Sequence, residues 1–387
     1  MLGLVNTVSS SSTPESKYSL NFDGSDDYLD TGATFNSVFQ GNFSISVWIN
    51  FADKDPSGNE YVFGSEIGTE DAIWFSQTSS QTYVFHFKSN NDAADSNAWA
   101  TGYNDGDDGE TGWQHFVFVV KNRGSSKPSQ ILCYQNAVLK TAVTSGLTGT
   151  NHAAFTSTNL FLGARNNDGT AELFSDSKIS DFAIWNALLD GDAVTAIYNS
   201  GRPTNLTFDD GGNYDNSSAL QAYYRMGNGA FDDKANGVIH DQHASGYGGE
   251  LVNDGGFPTG TTAWSLDEGW SLGDGVANGN ISGSLVFLYQ AVGITLNKTY
   301  KANIEVKTLT SGSVNFYYFN GSSFINVASD LTLGPHTFYF TATGGTNGSI
   351  YIGTGSFAGS VTDISVKQLN GFPGITSGGP TFSGDTP

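Results

Sequence analysis

Phe43-Ser44-Ile45-Ser46-Val47-Trp48-Ile49-Asn50-Phe51 alternates apolar and polar residues with period two, Trp48 excepted. Successive side chains of a strand point to opposite faces, so Phe43, Ile45, Val47, Ile49 and Phe51 share one face. The pattern predicts a β-strand over 43–51 with that face buried. Runs of the same kind recur at 83–87, 116–120, 131–134, 160–163 and 179–185. Polar turn clusters separate them, such as Asn104-Asp105-Gly106-Asp107-Asp108-Gly109, whose residue types tolerate positive φ. A second series starts at Thr299-Tyr300-Lys301-Ala302-Asn303-Ile304-Glu305-Val306-Lys307, which would bury Tyr300, Ala302, Ile304 and Val306. It continues at 314–319, 336–341, 349–352 and 361–366. One short helix is expected, with Asp190 as its cap, Val194, Ile197 and Tyr198 as its apolar stripe, and Gly201 with Pro203 ending it.

At 387 residues the chain exceeds what one core usually serves, so two domains are expected. The divisions read from composition are a Ser/Thr-rich arm at 1–16, a sandwich at 17–254, a smaller sandwich or jelly roll at 257–370, and a Gly/Pro-rich tail at 371–387. A formal charge of −22 repels nucleic-acid phosphates and anionic membrane surfaces, which excludes nucleic acid as a partner. No apolar run reaches the roughly 18 residues of a membrane span, and the amino terminus does not read as a secretory signal. The single cysteine, Cys133, permits no intrachain disulfide and reads as a buried, inert thiol.

Ordered motifs in the first unit resemble laminin-G-like, concanavalin-A-like sandwiches. They are Ser19-Leu20-Asn21-Phe22-Asp23-Gly24-Ser25-Asp26-Asp27-Tyr28, the strand at 43–50, Gly112-Trp113-Gln114-His115-Phe116, and Ile179-Ser180-Asp181-Phe182-Ala183-Ile184-Trp185-Asn186 followed by Ile197-Tyr198-Asn199-Ser200-Gly201-Arg202-Pro203. Trp48, Trp113 and Trp185 fall on family strands and are expected in the core. The second unit resembles jelly-roll carbohydrate-binding modules through Gly269-Trp270-Ser271-Leu272-Gly273 and Phe357-Ala358-Gly359-Ser360-Val361-Thr362-Asp363-Ile364-Ser365-Val366-Lys367. The pair is similar to fibre and capsid-decorating appendage proteins of marine tailed bacteriophages. That resemblance implies a non-enzymatic virion protein, assembled in the host cytoplasm and exposed on the particle. Its partners would be other virion proteins, sister copies (trimers are common among such fibres) and host-surface glycans. A free lectin and a glycoside hydrolase are the alternatives.

Retaining or inverting glycoside hydrolysis needs two carboxylates at a set separation, and the nearest approach is Glu66, Glu70 and Asp71. Those three read more readily as a turn into Ile73-Trp74-Phe75. Gly269–Gly273 matches G-x-S-x-G by letters, but no helix pattern follows it and His336 is the only later histidine. His240 and His243 read as a solvated loop. No catalytic residue and no resident cofactor is expected. Calcium is the one candidate ion, with Asp23, Asp26, Asp27, Asp105 and Asp107 as candidate ligands from acidic turns. Candidate sugar-stacking aromatics are Trp99 and Tyr103 in a polar loop at 96–112, and Trp264, Trp270, Tyr317 and Phe319 in the second unit.

Overall fold

A computed structural model describes residues 16–53, 55–68, 71–80, 82–88, 98–104, 112–123, 126–143, 155–343 and 348–387. The chain is nearly all β and divides into two compact units. The first comprises Met1–Ser245 with Gly371–Pro387, and the second Gly246–Asn370. The second unit is therefore an insertion, in sequence, within the first.

In the first unit one sheet centres on Phe43–Phe51, which pairs antiparallel with Asp176–Trp185 on one side and Gln114–Arg123 on the other. The predicted face is buried: Phe43, Ile45, Val47 and Ile49 are 0 % exposed, and they join Phe63, Phe75, Phe85 and Phe182 in the core between the sheets. The opposite face is buried as well, which the polar letters Ser44 and Ser46 conceal. A second apolar layer covers that side of the sheet, formed by Val117, Val119, Trp185, Val194, Ile197, Leu206 and Tyr223. The helix Gly191–Tyr198 supplies part of it, with Asp190 Oδ1 accepting from Ala193 N at 2.8 Å and Asn199 ending it in the left-handed region. Trp48 stacks on His115 and Tyr198 (4.6 and 5.7 Å between ring centroids), and Ser46 Oγ lies 2.7 Å from His115 Nε2. Burial pushes the His115 imidazole down to about 3. Cys133 is buried, and burial pushes its thiol up to about 12, matching an inert thiol.

Three expectations change. Residues 371–387 are no tail, because Gly374–Ser377 pairs with both Tyr28–Asp30 and Val238–Ile239, and Thr381–Ser383 pairs with Ser19–Asp23. The unit boundary falls at Ser245, because Tyr247–Glu250 already pairs with a strand of the second unit. Trp113 stays outside the core: it is half-buried, with its Nε1 donating to Asp385 Oδ1 at 3.0 Å. Residues 1–15 of the expected arm lie outside the described residues, whereas Ser16 is buried with its hydroxyl donating to Asp181 Oδ2.

The second unit is organised by a strand of 21 residues, Ser349–Leu369, where two shorter strands were expected. One edge pairs with Val276–Ala291 from Ser349 to Val361. The other edge pairs first with Val314–Phe319 and then with Thr299–Gly312. Tyr300, Ala302, Ile304 and Val306 are all buried, as their alternation requires.

Candidate functional site

The strands Glu60–Glu66, Ala72–Gln77 and Thr82–Lys88 send Phe63, Ile73, Phe75, Phe85 and Phe87 into the core. Alternation then places Trp74, His86 and Lys88 on the other face. Cross-strand register brings Gly64, Trp74 and His86 level with one another. Trp74 and His86 stack at 3.7 Å with 8° between their planes. Gly64 leaves room above it for Arg165; a Cβ there would sit 3.2 Å from the Arg165 Cα and Cγ. The guanidinium lies 5.2 Å from the Tyr61 ring and 5.9 Å from the Trp74 ring. Its Nη1 donates to Glu66 Oε2 at 2.7 Å and its Nη2 to Glu172 Oε1.

The result is an aromatic floor edged by a cation held between two carboxylates. Burial holds the Glu66 carboxyl above the usual range despite Arg165, and burial with the nearby Lys88 charge pushes His86 down to about 4. His86 Nε2 and Arg165 Nε are buried and have no hydrogen-bond partner among the described residues. The signal was present in the sequence: Trp74 sits between the core residues Ile73 and Phe75, and His86 between Phe85 and Phe87. Each is one residue in its own apolar run; only the register makes them neighbours.

The other candidates separate. Of the carboxylate trio, Glu66 is ion-paired, Asp71 is buried with Oδ2 accepting from Thr156 N at 2.6 Å, and Glu70 lies outside the described residues. Ser271 lies on the strand Trp270–Gly273, paired with Val276–Ala291, not on an elbow. His240 is 0 % exposed, correcting the solvated-loop reading. Trp99 and Tyr103 belong to the strand Ala98–Asn104, opposite Phe87 and Tyr83, not to a loop. Trp264 and Trp270 are core residues of the second unit (5 % and 7 % exposed), so neither serves as a sugar platform. Tyr317 and Phe319 share one face of their strand, where Tyr317 is likewise buried (9 % exposed) and Phe319 is half-buried.

Asp23, Asp26 and Asp27 are brought together, each offering a carboxylate oxygen within 4.8 Å of the others. Asp105 and Asp107 lie outside the described residues. Burial, then the charges of Asp23 and Asp26, raise the Asp27 carboxyl. Asp176 adjoins this loop and is raised by burial and by Asp53 and Asp23, while burial pushes Glu60 up to about 7. Hard oxygen donors of this kind suit calcium. The Glu60 carboxyl has a pH consequence. The folded chain keeps that proton up to about pH 7, whereas the unfolded chain releases it near 4.5, so stability falls as pH rises across that window. In Glu60→Gln the melting temperature should decline less between pH 4.5 and 7 than in the parent, measured by calorimetry in chelator. An equal decline in both proteins would remove Glu60 as the cause.

Residues 23–195 match the Concanavalin A-like lectin/glucanases superfamily. That segment spans most of the first unit, including the aromatic floor and the acidic loop, and the unit has the concanavalin-A-like sandwich fold. Solved structures similar to the chain include the carbohydrate-binding module CBM40 of the Ruminococcus gnavus IT-sialidase, 9 % identical, covering 48 % of this chain and 99 % of that one, with a TM-score of 0.37. The heptameric SAP-like pentraxin of Limulus polyphemus is 11 % identical, covering 50 % and 88 %, with a TM-score of 0.34. The sialidase of Trypanosoma rangeli is 13 % identical over 41 % of this chain and 22 % of its own, with a TM-score of 0.29. A search of curated protein sequences found no match.

Proposed function

We propose that the chain is a non-enzymatic, glycan-binding appendage protein exposed on a phage particle. The lectin-type unit meets host-surface saccharides, and residues 1–15 join it to other virion proteins or to sister copies. The observation that carries glycan binding is the half-buried Trp74–His86 stack edged by Arg165, Glu66 and Glu172. A pyranose presents C–H faces to rings and hydroxyls to charged edges, which this arrangement can receive. Display rather than hydrolysis is favoured because Glu66 and Asp71 are both held in ion-pair or loop contacts. The particle context rests on the resemblance of the module pair alone.

Trp74→Ala should weaken binding on a glycan array by about tenfold or more without unfolding the chain. Unaltered binding would remove the floor from the site. Within the same reading, Asp23, Asp26 and Asp27 hold calcium: calcium should raise the melting temperature of the parent but not of Asp27→Asn. An unchanged midpoint with chelator would remove the ion. A chain starting at Ser16 should fold but fail to enter particles; normal incorporation would count against the arm's role.

A further inference from the structure

The strand Thr299–Gly312 sends Tyr300, Ala302, Ile304 and Val306 into the core of the second unit, so Lys301, Asn303, Glu305 and Lys307 face the other way. On the neighbouring strand Ser349–Leu369, Ile364 and Val366 are buried, which leaves Ser365 and Lys367 on that same outward face. Register sets Lys301 directly opposite Lys367. Tyr339 of the strand Gly334–Thr341 lies beyond Lys301, and Glu250 lies beyond Lys367. The Lys301 ammonium is 5.6 Å from the Tyr247 ring and 5.5 Å from the Tyr339 ring, and the two tyrosine hydroxyls are 3.5 Å apart. Cation–π attraction therefore fixes this ammonium in place. All four of these side chains (Tyr247, Lys301, Tyr339 and Lys367) are half-buried.

The carboxylates on this face have other partners. Glu250 accepts from Ser365 Oγ at 2.6 Å and from the backbone N–H groups of Val366 and Val252, and Glu305 pairs with Lys307 at 3.2 Å. Among the described residues neither Lys301 nor Lys367 is ion-paired. Like charges directly opposite on a sheet are destabilising, so the unit carries a cationic pair that it does not itself neutralise. The charge of the whole chain is unevenly divided. Residues 246–370 hold 4 of the 16 lysines and arginines and 8 of the 38 acidic residues, a net −4, which leaves −18 on the first unit. Three of those four lysines (301, 307 and 367) lie on this one face.

We propose that this face docks on the acidic first unit of a second copy of the chain, in a head-to-tail contact. Two copies of the face would repel each other, so the contact between copies is heterologous rather than two-fold. A protein surface with discrete carboxylates fits it better than a polyanion, whose closely spaced charges would meet Glu250 and Glu305 as well as the lysines. Tyrosine, apolar in body and polar at its tip, is a residue that such contacts favour. At physiological salt the Debye length is about 8 Å, so the net charges of two copies are largely screened while lysine–carboxylate pairs in contact are not.

The test is sedimentation velocity of the full chain at physiological salt over a range of concentrations. The parent should self-associate, and about 1 M salt, where the Debye length is about 3 Å, should dissolve the complexes. Lys301→Glu with Lys367→Glu should weaken self-association by about tenfold or more. Lys367→Glu alone, which leaves Lys301 between its two tyrosines, should weaken it with an unchanged melting temperature. The labelled double variant keeps its first unit intact, so it should still bind the parent. A chain starting at Ser16 should associate as the parent does; loss of association there would move the contact to residues 1–15. A parent that stays monomeric at every concentration would overturn the proposal, as would association that survives both variants. A double variant that no longer binds the parent would make the contact face to face and overturn the first unit as partner. Dextran sulfate bound by a monomeric parent but not by Lys367→Glu would assign the face to a polyanion instead.

Discussion

Ending the chain at Asn370 should unfold the first unit while leaving the second folded. The missing segment supplies Gly374–Ser377, which lies hydrogen-bonded between Tyr28–Asp30 and Val238–Ile239. It also supplies Thr381–Ser383 on Ser19–Asp23 and the Phe382 ring packed on the core. Tyr224, fully buried, donates its hydroxyl to Phe372 O at 2.7 Å and would be left without that acceptor. Asp385 accepts from Lys178 Nζ at 2.6 Å and from Trp113 Nε1, and the Lys178 hydrogen bond holds its carboxyl below the usual range. A buried hydroxyl that loses its acceptor costs about 1–3 kcal/mol. The lost contacts of the half-buried Phe382 ring and the hydrogen bonds of two strands add to that, a large share of the roughly 5–15 kcal/mol of a typical domain. Calorimetry of the truncated chain should show the first unit's transition lowered by at least about 8 °C or absent. An unaltered transition would return residues 371–387 to the status of a tail.

Asp181→Ala should be the most damaging single substitution in the first unit. Asp181 is 3 % exposed; its Oδ1 accepts from Tyr223 Oη at 2.7 Å and Arg225 Nε at 3.4 Å, and its Oδ2 from Ser180 and Ser16. Arg225 is itself buried, with 7 % of its side chain exposed. Removing one partner of a buried pair leaves the other charge uncompensated, at a cost of about 3–5 kcal/mol. Removing both charges should recover much of the loss, so Asp181→Ala with Arg225→Met should be more stable than Asp181→Ala alone. Chemical denaturation measures both. A loss below about 1 kcal/mol for the single change would show that the network contributes little.

Alternation made the strands legible. Phe43–Phe51 and the buried set Tyr300, Ala302, Ile304 and Val306 follow from period two, which is a local property of the backbone. The helix at 191–198 was legible for the same reason, since Asp190 and its apolar stripe lie within one short stretch. Aromatic placement was less so. Trp270 and Tyr317 both read as candidate platforms, yet both are buried (7 % and 9 % exposed), because what covers a ring depends on the strands packed around it.

The all-β class, the strand periods and the acidic loop of Asp23, Asp26 and Asp27 are legible in the sequence alone. Only the tertiary structure decided that the two ends of the chain share a sheet, that the second unit is an insertion, and that Trp74 meets His86 and Arg165. The physical reason is range. Periodicity is written within one strand, whereas the pairing of Ser19–Asp23 with Thr381–Ser383 joins edges more than 350 residues apart. A short strand such as Gly374–Ser377 is held mainly by backbone hydrogen bonds, which every sequence can make and none announces.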